Sequence, residues 1–209
     1  MIKRGKFIVF EGPDGCGKST IAKMIRNELL DIEIDCVLTR EPGGTKTGEK
    51  IRDILLNKDN IISASTEALL MASARAQHIE ELIKPSLNLG KQVLCDRFVV
   101  SSLVYQGIGR NLGINRVEKL NEFAVDICPD LTIFFDLDYE TALGRRNIRK
   151  TSDRMEDMDD DFHYKIHEGY KRIYSEYKEK YNIIRIDSSD KIEKVFCTAF
   201  DKVKEILEV

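Results

Sequence analysis

The sequence predicts an α/β fold of three layers, in which a five-stranded parallel sheet is flanked by helices. The first observation is a set of short apolar runs, each of the length expected for a buried strand. There are five: Phe7 to Phe10, Cys36 to Leu38, Val93 to Cys95, Leu131 to Phe135, and Ile183 to Ile186. The second observation is that helical patterns separate these runs, an alternation typical of parallel sheets covered by helices on both faces.

A glycine-rich loop between the first strand and the first helix is the third observation. It reads Gly12-Pro13-Asp14-Gly15-Cys16-Gly17-Lys18-Ser19, followed by Thr20. The spacing G-x-x-x-x-G-K-S is that of the phosphate-binding loop of P-loop nucleotide enzymes, which predicts a three-layer P-loop NTPase fold. Glycines let backbone amides approach phosphate oxygens, and the helix N-terminus adds positive charge. We expect Lys18 to reach the outer phosphates and the Ser19 hydroxyl to ligate Mg²⁺. A chance glycine-rich turn is the disfavoured alternative.

Length and composition predict one globular domain spanning residues 1–209. The net charge of −3 lacks the basic excess of a nucleic-acid-binding surface. No segment has the uninterrupted apolar length of a membrane span, and the N-terminus runs directly into the first strand, which predicts no signal peptide. Five cysteines at irregular spacing predict free thiols in a reducing, cytoplasmic environment.

Two histidines, His163 and His167, lie four residues apart in a helical stretch. A metal-binding pair is one interpretation. The absence of an H-E-x-x-H motif favours the other, a solvated helix face.

Polar residues follow the predicted strands at their carboxyl ends, where parallel sheets bind ligands. They are Glu11, Arg40-Glu41, Asp96-Arg97, Asp136 and Asp187. Asp96 is placed to hold Mg²⁺ directly or through water, and Arg97 to clamp a second phosphate. A structural salt bridge is the alternative for this pair. Two anion sites on neighbouring strand ends predict a phosphoryl-transfer enzyme whose acceptor is itself a phosphate.

A basic segment at residues 145–154 suits a mobile, phosphate-covering element, and a solvated charged loop is the alternative. Its basic residues are Arg145, Arg146, Arg149, Lys150 and Arg154. A switch GTPase is disfavoured because no D-x-x-G follows the phosphate loop and no N-K-x-D occurs. The nearest match to the latter, in residues 57–60, ends in Asn60.

Four segments together resemble the bacterial thymidylate kinase family, and their order and spacing match over nearly the whole chain. They are Glu11 to Ser19, Thr39-Arg40-Glu41-Pro42-Gly43-Gly44-Thr45, Asp96-Arg97 with Ser101-Ser102-Leu103-Val104-Tyr105-Gln106-Gly107, and Asp153-Arg154-Met155-Glu156. By itself the Pro42-containing segment also fits an ordinary turn. The resemblance implies ATP-dependent phosphorylation of dTMP to dTDP in dTTP biosynthesis. It also implies Mg²⁺ as cofactor, a homodimer, and no nucleic-acid or membrane partner.

The resemblance also implies roles for individual residues. Asp14 corresponds to the carboxylate that binds the deoxyribose 3′-hydroxyl, and Arg97 to the clamp on the acceptor phosphate. Arg75 matches the donor to the thymine carbonyl, and Tyr105 the ring that crowds the 2′ position. Ser102 and Gln106 match polar residues of the base pocket. The full set expected at dTMP is Asp14, Glu41, Pro42, Arg52, Met71, Arg75, Arg97, Ser101, Ser102, Tyr105 and Gln106. Arg52 is alternatively a helix-surface charge.

Two positions distinguish this chain within the family it resembles. Gly15 stands where some members carry a catalytic arginine, so a lid at about residues 143–156 is expected to supply one. Arg149 is the first candidate and Arg145 the second, acting with Lys18 and Arg97. Met71 stands where a phenylalanine usually stacks on thymine, and a thioether covers a ring less rigidly. The rival functions are another nucleoside monophosphate kinase and a non-catalytic nucleotide-binding module.

Overall fold

A computed structural model of the chain describes residues 3–147 and 153–209. Within these residues there are five strands, β1 Phe7–Glu11, β2 Cys36–Arg40, β3 Gln92–Asp96, β4 Leu131–Asp136 and β5 Ile183–Asp187. They form one parallel sheet in the order β2-β3-β1-β4-β5. All five predicted strands are therefore confirmed, each continuing one or two residues further toward its carboxyl end.

Helices connect the strands. They are α1 Lys18–Asp31, α2 Lys46–Leu56, α3 Ala64–His78, α4 Lys84–Asn88, α5 Val99–Ser102, α6 Ile114–Ala124, α7 Tyr139–Asn147, α8 Asp160–Tyr177 and α9 Ile192–Leu207. A π-helical stretch, Ile79–Ile83, lies between α3 and α4, and a second, Leu103–Gly109, follows α5. No helix in the described part of the chain combines the length and the apolar character needed to cross a membrane.

The sheet separates two hydrophobic cores because alternate side chains of each strand point to opposite faces. Ile8 and Phe10 of β1 contact the apolar faces of α1 and α9, whereas Phe7 and Val9 contact the other core. That second core is built from α6, α8 and both π-helical stretches. Every residue of β1 is buried, as expected for a central strand covered on both faces.

The strand order brings the carboxyl ends of β2, β3 and β1 side by side. Asp96 of β3 is in register with Arg40 of β2 on one side and with Phe10 of β1 on the other. The phosphate loop follows β1 directly and ends where α1 begins at Lys18. The residues expected to perform chemistry therefore converge at one edge of the sheet.

Candidate active site

The phosphate loop ends in an uncapped helix N-terminus. Gly17 is the N-cap residue of α1, has φ of 90°, and provides no side chain to accept from the first-turn amides. Such amides are ready donors for an anion, and the helix dipole favours negative charge there. The left-handed backbone at Gly17 explains why the motif requires glycine at this position.

Gly15 cannot be replaced by the arginine that some family members carry. Its φ is 90°, and a Cβ atom there would lie 2.6 Å from the carbonyl oxygen of Ala142 in α7. Packing of α7 against the loop therefore excludes a side chain at this position. The phosphate loop therefore has no side-chain cation at position 15.

Ser19 and Asp96 meet at the junction of α1 and β3. The Ser19 hydroxyl donates a hydrogen bond to Asp96 Oδ2. The second oxygen, Asp96 Oδ1, is buried and has no hydrogen-bond partner among the described residues. A buried carboxylate oxygen without a partner is costly unless a ligand completes it. A hydroxyl beside a carboxylate is a donor set that suits Mg²⁺, so the residues fit this cofactor.

Arg97 lies at the centre of a polar cluster and has a left-handed φ of 72°. Its guanidinium donates to Asp14 Oδ1 at 2.6 Å and to the hydroxyls of Tyr170 at 2.7 Å and Tyr105 at 3.2 Å. It also lies over the Tyr105 ring, with its carbon 5.1 Å from the ring centroid. Tyr105 in turn donates to Asp14 Oδ2 at 2.9 Å. Several internal hydrogen bonds therefore already hold the Arg97 guanidinium in this structure.

Charge in this cluster perturbs the ionisable groups. Burial alone would raise the pKa of Asp14, but the positive charges of Arg97 and Lys18 outweigh burial and hold this pKa well below its usual range. Glu11 responds in the opposite direction. Burial raises the pKa of Glu11, although Arg97 opposes this rise. Asp14 is therefore a permanent carboxylate acceptor at the cavity.

A cavity of about 240 Å³ opens between the phosphate loop and α3. All eleven residues expected at dTMP line it, together with Lys18, Ser19 and Asp96. Six further residues line it that the sequence does not assign to dTMP, namely Arg40, Leu56, Phe98, Asp153, Met155 and Glu156. Arg52 belongs to this cavity rather than to an outer helix surface, and its Nη1 donates to the Pro42 carbonyl at 2.9 Å.

Arg75 is almost completely buried and held on several sides. Its Nε donates to Glu41 Oε2 at 2.6 Å, its Nη1 to Asn121 Oδ1, and its Nη2 to the Phe98 carbonyl and Ser102 Oγ. Four of its five N–H groups are thus engaged, and one at Nη1 is left for the cavity. Arg75 and His78 occupy the two oxygens of the Glu41 carboxylate, so Glu41 orients the Arg75 guanidinium.

A second buried carboxylate, Glu67, supports Gln106. Its Oε1 accepts from Gln106 Nε2 at 3.0 Å and from Arg110, and its Oε2 accepts from Arg110 and Arg154. Arg154 also donates to the Leu55 carbonyl at 2.7 Å. In this structure Glu67 and the Leu55 carbonyl therefore hold Arg154, which the sequence groups with the basic residues of the segment 145–154.

A second cavity, of about 330 Å³, lies on the opposite side of the phosphate loop. Its lining comes from the phosphate loop and α1 on one side and from α7, the segment after β5 and α9 on the other. The residues are Gly15, Cys16, Gly17, Thr20, Ile21, Arg145, Ser188, Asp190, Ile192 and Val195. Arg145 is exposed and its Nη1 lies 3.5 Å from the Ser188 carbonyl oxygen. The first lid candidate, Arg149, lies outside the described residues.

Other expected positions lie away from both cavities. Asp136 pairs with Arg185 at 2.5 Å, and Asp187 accepts from the Ser189 amide at 2.9 Å. The solvated face expected for the histidine pair is wrong, because both rings are buried in α8. His167 Nε2 lies 2.6 Å from the Leu137 carbonyl oxygen, and the described residues contain no metal-binding cluster.

Some residues of the site do not belong to any recognisable sequence motif. Ser188 and Asp190 follow β5, so the rule that ligands lie beyond strand ends could have indicated them. Asn121 and Glu67 lie on separate helices, in no recognisable motif, and only tertiary packing reveals their roles. Tyr170 is similar, since it reaches Glu11 and Arg97 from α8, far along the chain.

Two cavities that flank one phosphate loop, with a carboxylate and an arginine at the neighbouring strand end, define a P-loop nucleotide kinase. The family model described as "Thymidylate kinase" matches residues 10–197. The chain therefore belongs to the thymidylate kinase family.

Individual relatives agree with this assignment. The chain is similar to a thymidylate kinase of Thermoanaerobacter sp. (strain X514), with 49% identity over 205 residues, which cover 98% of this chain and 100% of that one. A thymidylate kinase of Finegoldia magna is 48% identical over 200 residues, with coverage of 95% and 97%. The crystal structure of thymidylate kinase from Ehrlichia chaffeensis matches with a TM-score of 0.77 at 30% identity, over 96% of this chain and 99% of that one.

Membership in this family establishes the enzymatic activity of the chain. The chain is a kinase that phosphorylates dTMP to dTDP with ATP as the donor, a step in the synthesis of dTTP. Both rival functions, a kinase for another monophosphate and a non-catalytic module, are thereby rejected.

Proposed function

We propose the following division of roles among the residues of this kinase. ATP places its phosphates on the phosphate loop, where Lys18 and the first-turn amides of α1 neutralise their charge. Ser19 and Asp96 hold Mg²⁺, which neutralises charge on the transferred phosphoryl group when it is bound. The partnerless oxygen of Asp96 supports this assignment.

The dTMP nucleotide is the phosphoryl acceptor and occupies the 240 Å³ cavity, which we call the acceptor cavity. Asp14 accepts from the 3′-hydroxyl, the Tyr105 ring excludes a 2′-hydroxyl, and Arg75 donates to the O4 atom of thymine. Arg97 binds the acceptor phosphate and must exchange or share its present partners to do so. The single observation that carries this assignment is that all eleven residues expected at dTMP line one cavity beside Lys18.

The nucleoside of ATP occupies the cavity near Arg145 and Asp190. Phosphates of the two nucleotides then meet at the loop between the cavities. The acceptor phosphate already carries a nucleophilic oxygen, so a strong general base is unnecessary. Catalysis is mainly alignment and charge neutralisation.

The chain acts as one domain, with a lid at about residues 143–156 that covers the phosphates and excludes water. Arg149 supplies the transition-state cation, with Arg145 as the second candidate. The enzyme works in the cytoplasm as a homodimer. Exposed apolar side chains on two helices that pack together support the dimer, since Leu69 of α3 is 54% exposed and Phe123 of α6 is 98% exposed.

A substrate panel tests the roles assigned in the acceptor cavity. Values of kcat/KM are measured for dTMP, dUMP, dCMP, dGMP and the ribonucleotide counterpart of dTMP at fixed ATP and Mg²⁺. We expect dTMP to exceed dCMP and the ribonucleotide. If the ribonucleotide is used as well as dTMP, the role of Tyr105 is wrong.

A second experiment tests the lid. Arg149→Ala should lower kcat by roughly 10³-fold, as for other arginine fingers, with little change in KM for dTMP. Arg145→Ala is the comparison. Normal turnover by both variants would mean that this segment is only a solvated loop.

A further inference from the structure

The nucleobase end of the acceptor cavity depends on a carboxylate that does not itself line the cavity. Glu67, in the first turn of α3, has no exposed surface, and four hydrogen bonds saturate its two oxygens. Arg110 and Arg154 supply three of them, and Gln106 supplies the fourth. With two guanidinium partners, this carboxylate is an ionised group that can only accept hydrogen bonds.

This charge fixes the orientation of the Gln106 amide. A carboxylate has no proton to donate, so the amide must present Nε2 to it, at 3.0 Å. A flipped amide would place its carbonyl oxygen against the carboxylate, with repulsion in a dry environment. The carbonyl oxygen of Gln106 is then the polar atom that the side chain offers to the cavity, and the described residues provide it with no hydrogen-bond donor.

Arg75 presents the complementary group. Its one remaining N–H is a donor, because Glu41, Asn121, Ser102 and the Phe98 carbonyl hold the other four. At the base end of the cavity, Arg75 and Gln106 therefore offer one fixed donor and one fixed acceptor. Thymine has an acceptor at O4 beside a donor at N3. Cytosine has the reverse order, a donor at N4 beside an acceptor at N3.

We propose that Glu67 is a specificity-determining positioning residue: its buried carboxylate locks the Gln106 amide so that the cavity accepts the N3–H of thymine and rejects cytosine. The proposal rests on the dTMP site assigned above and adds to it the group that sets the polarity of base recognition. Arg110 and Arg154 act one step further out, since they keep Glu67 charged.

The test is Glu67→Gln, because a glutamine can donate as well as accept and so frees the Gln106 amide to flip. The quantity measured is the ratio of kcat/KM for dTMP to kcat/KM for dCMP. Both values come from one preparation, so a partly unfolded sample does not change the ratio. We expect it to fall by about tenfold or more, since mispaired groups in a site built for hydrogen bonds carry large discrimination.

The matched control is Glu81→Gln. Glu81 is also an acceptor for a glutamine amide, Gln77 Nε2 at 2.7 Å, but this pair is exposed and lies away from the cavity. Its ratio should equal that of the unmodified enzyme.

Gln106→Leu distinguishes the role of Gln106 in reading the base from the role of Glu67 in positioning Gln106. We expect it to lower kcat/KM for dTMP. If it does so while Glu67→Gln keeps full discrimination, the role of Glu67 is wrong and the assignment of Gln106 stands. If Gln106→Leu has no effect, Gln106 does not read the base, and both assignments are wrong.

A measurement on the unmodified enzyme covers the case in which Glu67→Gln does not fold. The N3-methyl analogue of dTMP keeps the O4 carbonyl, lacks the N3–H donor and places a methyl group where the Gln106 carbonyl oxygen is expected. We expect its kcat/KM to fall by about tenfold or more relative to dTMP. Equal use of the two nucleotides would overturn the proposal, because no acceptor would then face N3.

Discussion

The two ends of the acceptor cavity are built on different principles. At the base end the charged groups are buried and paired at short distance, as in the contact of 2.6 Å between Arg75 and Glu41. At the phosphate end Lys18 Nζ has only two long contacts, at 3.4 and 3.5 Å, and Asp96 Oδ1 has none among the described residues. Internal hydrogen bonds thus hold the base end in place and leave one Arg75 N–H and the Gln106 carbonyl oxygen for a ligand. At the phosphate end Lys18 Nζ and Asp96 Oδ1 are left for the ligand, and Arg97 is the exception there because internal partners already hold it.

This difference separates recognition from catalysis. A buried polar network that is fully satisfied holds its groups rigidly and favours one ligand over its isosteres. Groups with unsatisfied hydrogen-bonding capacity gain most when charge develops on the transferred phosphoryl group, which is where catalysis requires stabilisation. We therefore expect substitutions at the phosphate end to change turnover, and substitutions at the base end to change stability and selectivity.

The largest effect is expected for Lys18→Ala. In the proposed assignment it removes the cation at the outer phosphates of ATP, so kcat should fall by about 10²–10³-fold, as when other electrostatic catalysts lose one group. Affinity for dTMP, measured by calorimetry, should change little. Lys23→Ala, an exposed position on the same helix, is the control. Retention of more than a few per cent of activity would contradict the role of Lys18.

Next in size is Asp96→Asn. The amide is a weaker ligand for a divalent cation, so we expect activity at limiting Mg²⁺ to fall by about 10–100-fold. Titration with Mg²⁺ should show partial recovery at high concentration. Asp187→Asn removes a strand-end carboxylate outside both cavities and should behave normally. An unchanged Mg²⁺ dependence in the first variant would show that Asp96 does not hold the metal.

Asn121→Ala tests the base end through stability. Loss of the Asn121 carbonyl leaves the Arg75 Nη1 group short of a buried partner, which should lower the free energy of unfolding by about 1–3 kcal/mol. Urea denaturation measures this quantity. Lys18→Ala, which breaks only long contacts, should leave it nearly unchanged. The reverse result would overturn the comparison between the two ends.

Met71→Phe should have a smaller effect, in the favourable direction. An aromatic ring covers a base more rigidly than a thioether, and aromatic pairs contribute about 0.5–1.5 kcal/mol beyond burial. Affinity for dTMP should therefore stay constant or rise by up to about tenfold. Leu89→Phe, at an exposed position directly after α4, is the control. A marked loss of affinity would show that the cavity has no room for the ring.

The smallest expected effect is on the pH dependence of stability. Burial alone would raise the pKa of Glu67, but hydrogen bonds from Arg110, Gln106 and Arg154 outweigh it and lower the pKa. A carboxylate with a lowered pKa stabilises the fold above its unfolded pKa of about 4.3 and loses this contribution as the pH falls through the folded value. The stability difference between wild type and Glu67→Gln should therefore be constant near neutral pH and shrink below about pH 4. A stability difference at pH 3 as large as that at neutral pH would contradict this expectation.

The sequence predicts the phosphate end better than the base end for a physical reason. Gly12 to Ser19 are contiguous because one loop must wrap one group of phosphates, so the motif is visible in the chain. Asp96 and Arg97 directly follow a buried strand, where the topology of a parallel sheet places ligands. Local spacing and strand order together are therefore sufficient to predict this part of the site.

The base end is assembled from residues far apart in the chain. The resemblance identifies Arg75, Gln106 and Glu41, but the supporting residues Asn121 and Glu67 lie on separate helices and follow no common spacing. Arg154 shows the same difficulty. Composition places it in a basic lid, whereas a buried carboxylate on α3 determines where its guanidinium lies. Partners of buried charges depend on tertiary packing, which a linear pattern does not contain.

The central position of β1 has a consequence for the synthesis of the protein. Phe7 pairs in register with Val93, and Glu11 pairs with Phe134. A ribosome releases the N-terminus first, so more than half of the polypeptide must be synthesised before both neighbours of β1, the strands β3 and β4, are present. Long-range parallel pairing is also slow to form. The growing chain thus exposes its strand before the nucleotide-binding loop exists as a structure, so incomplete translation products should not bind ATP, and β1 is the segment that a chaperone would shield.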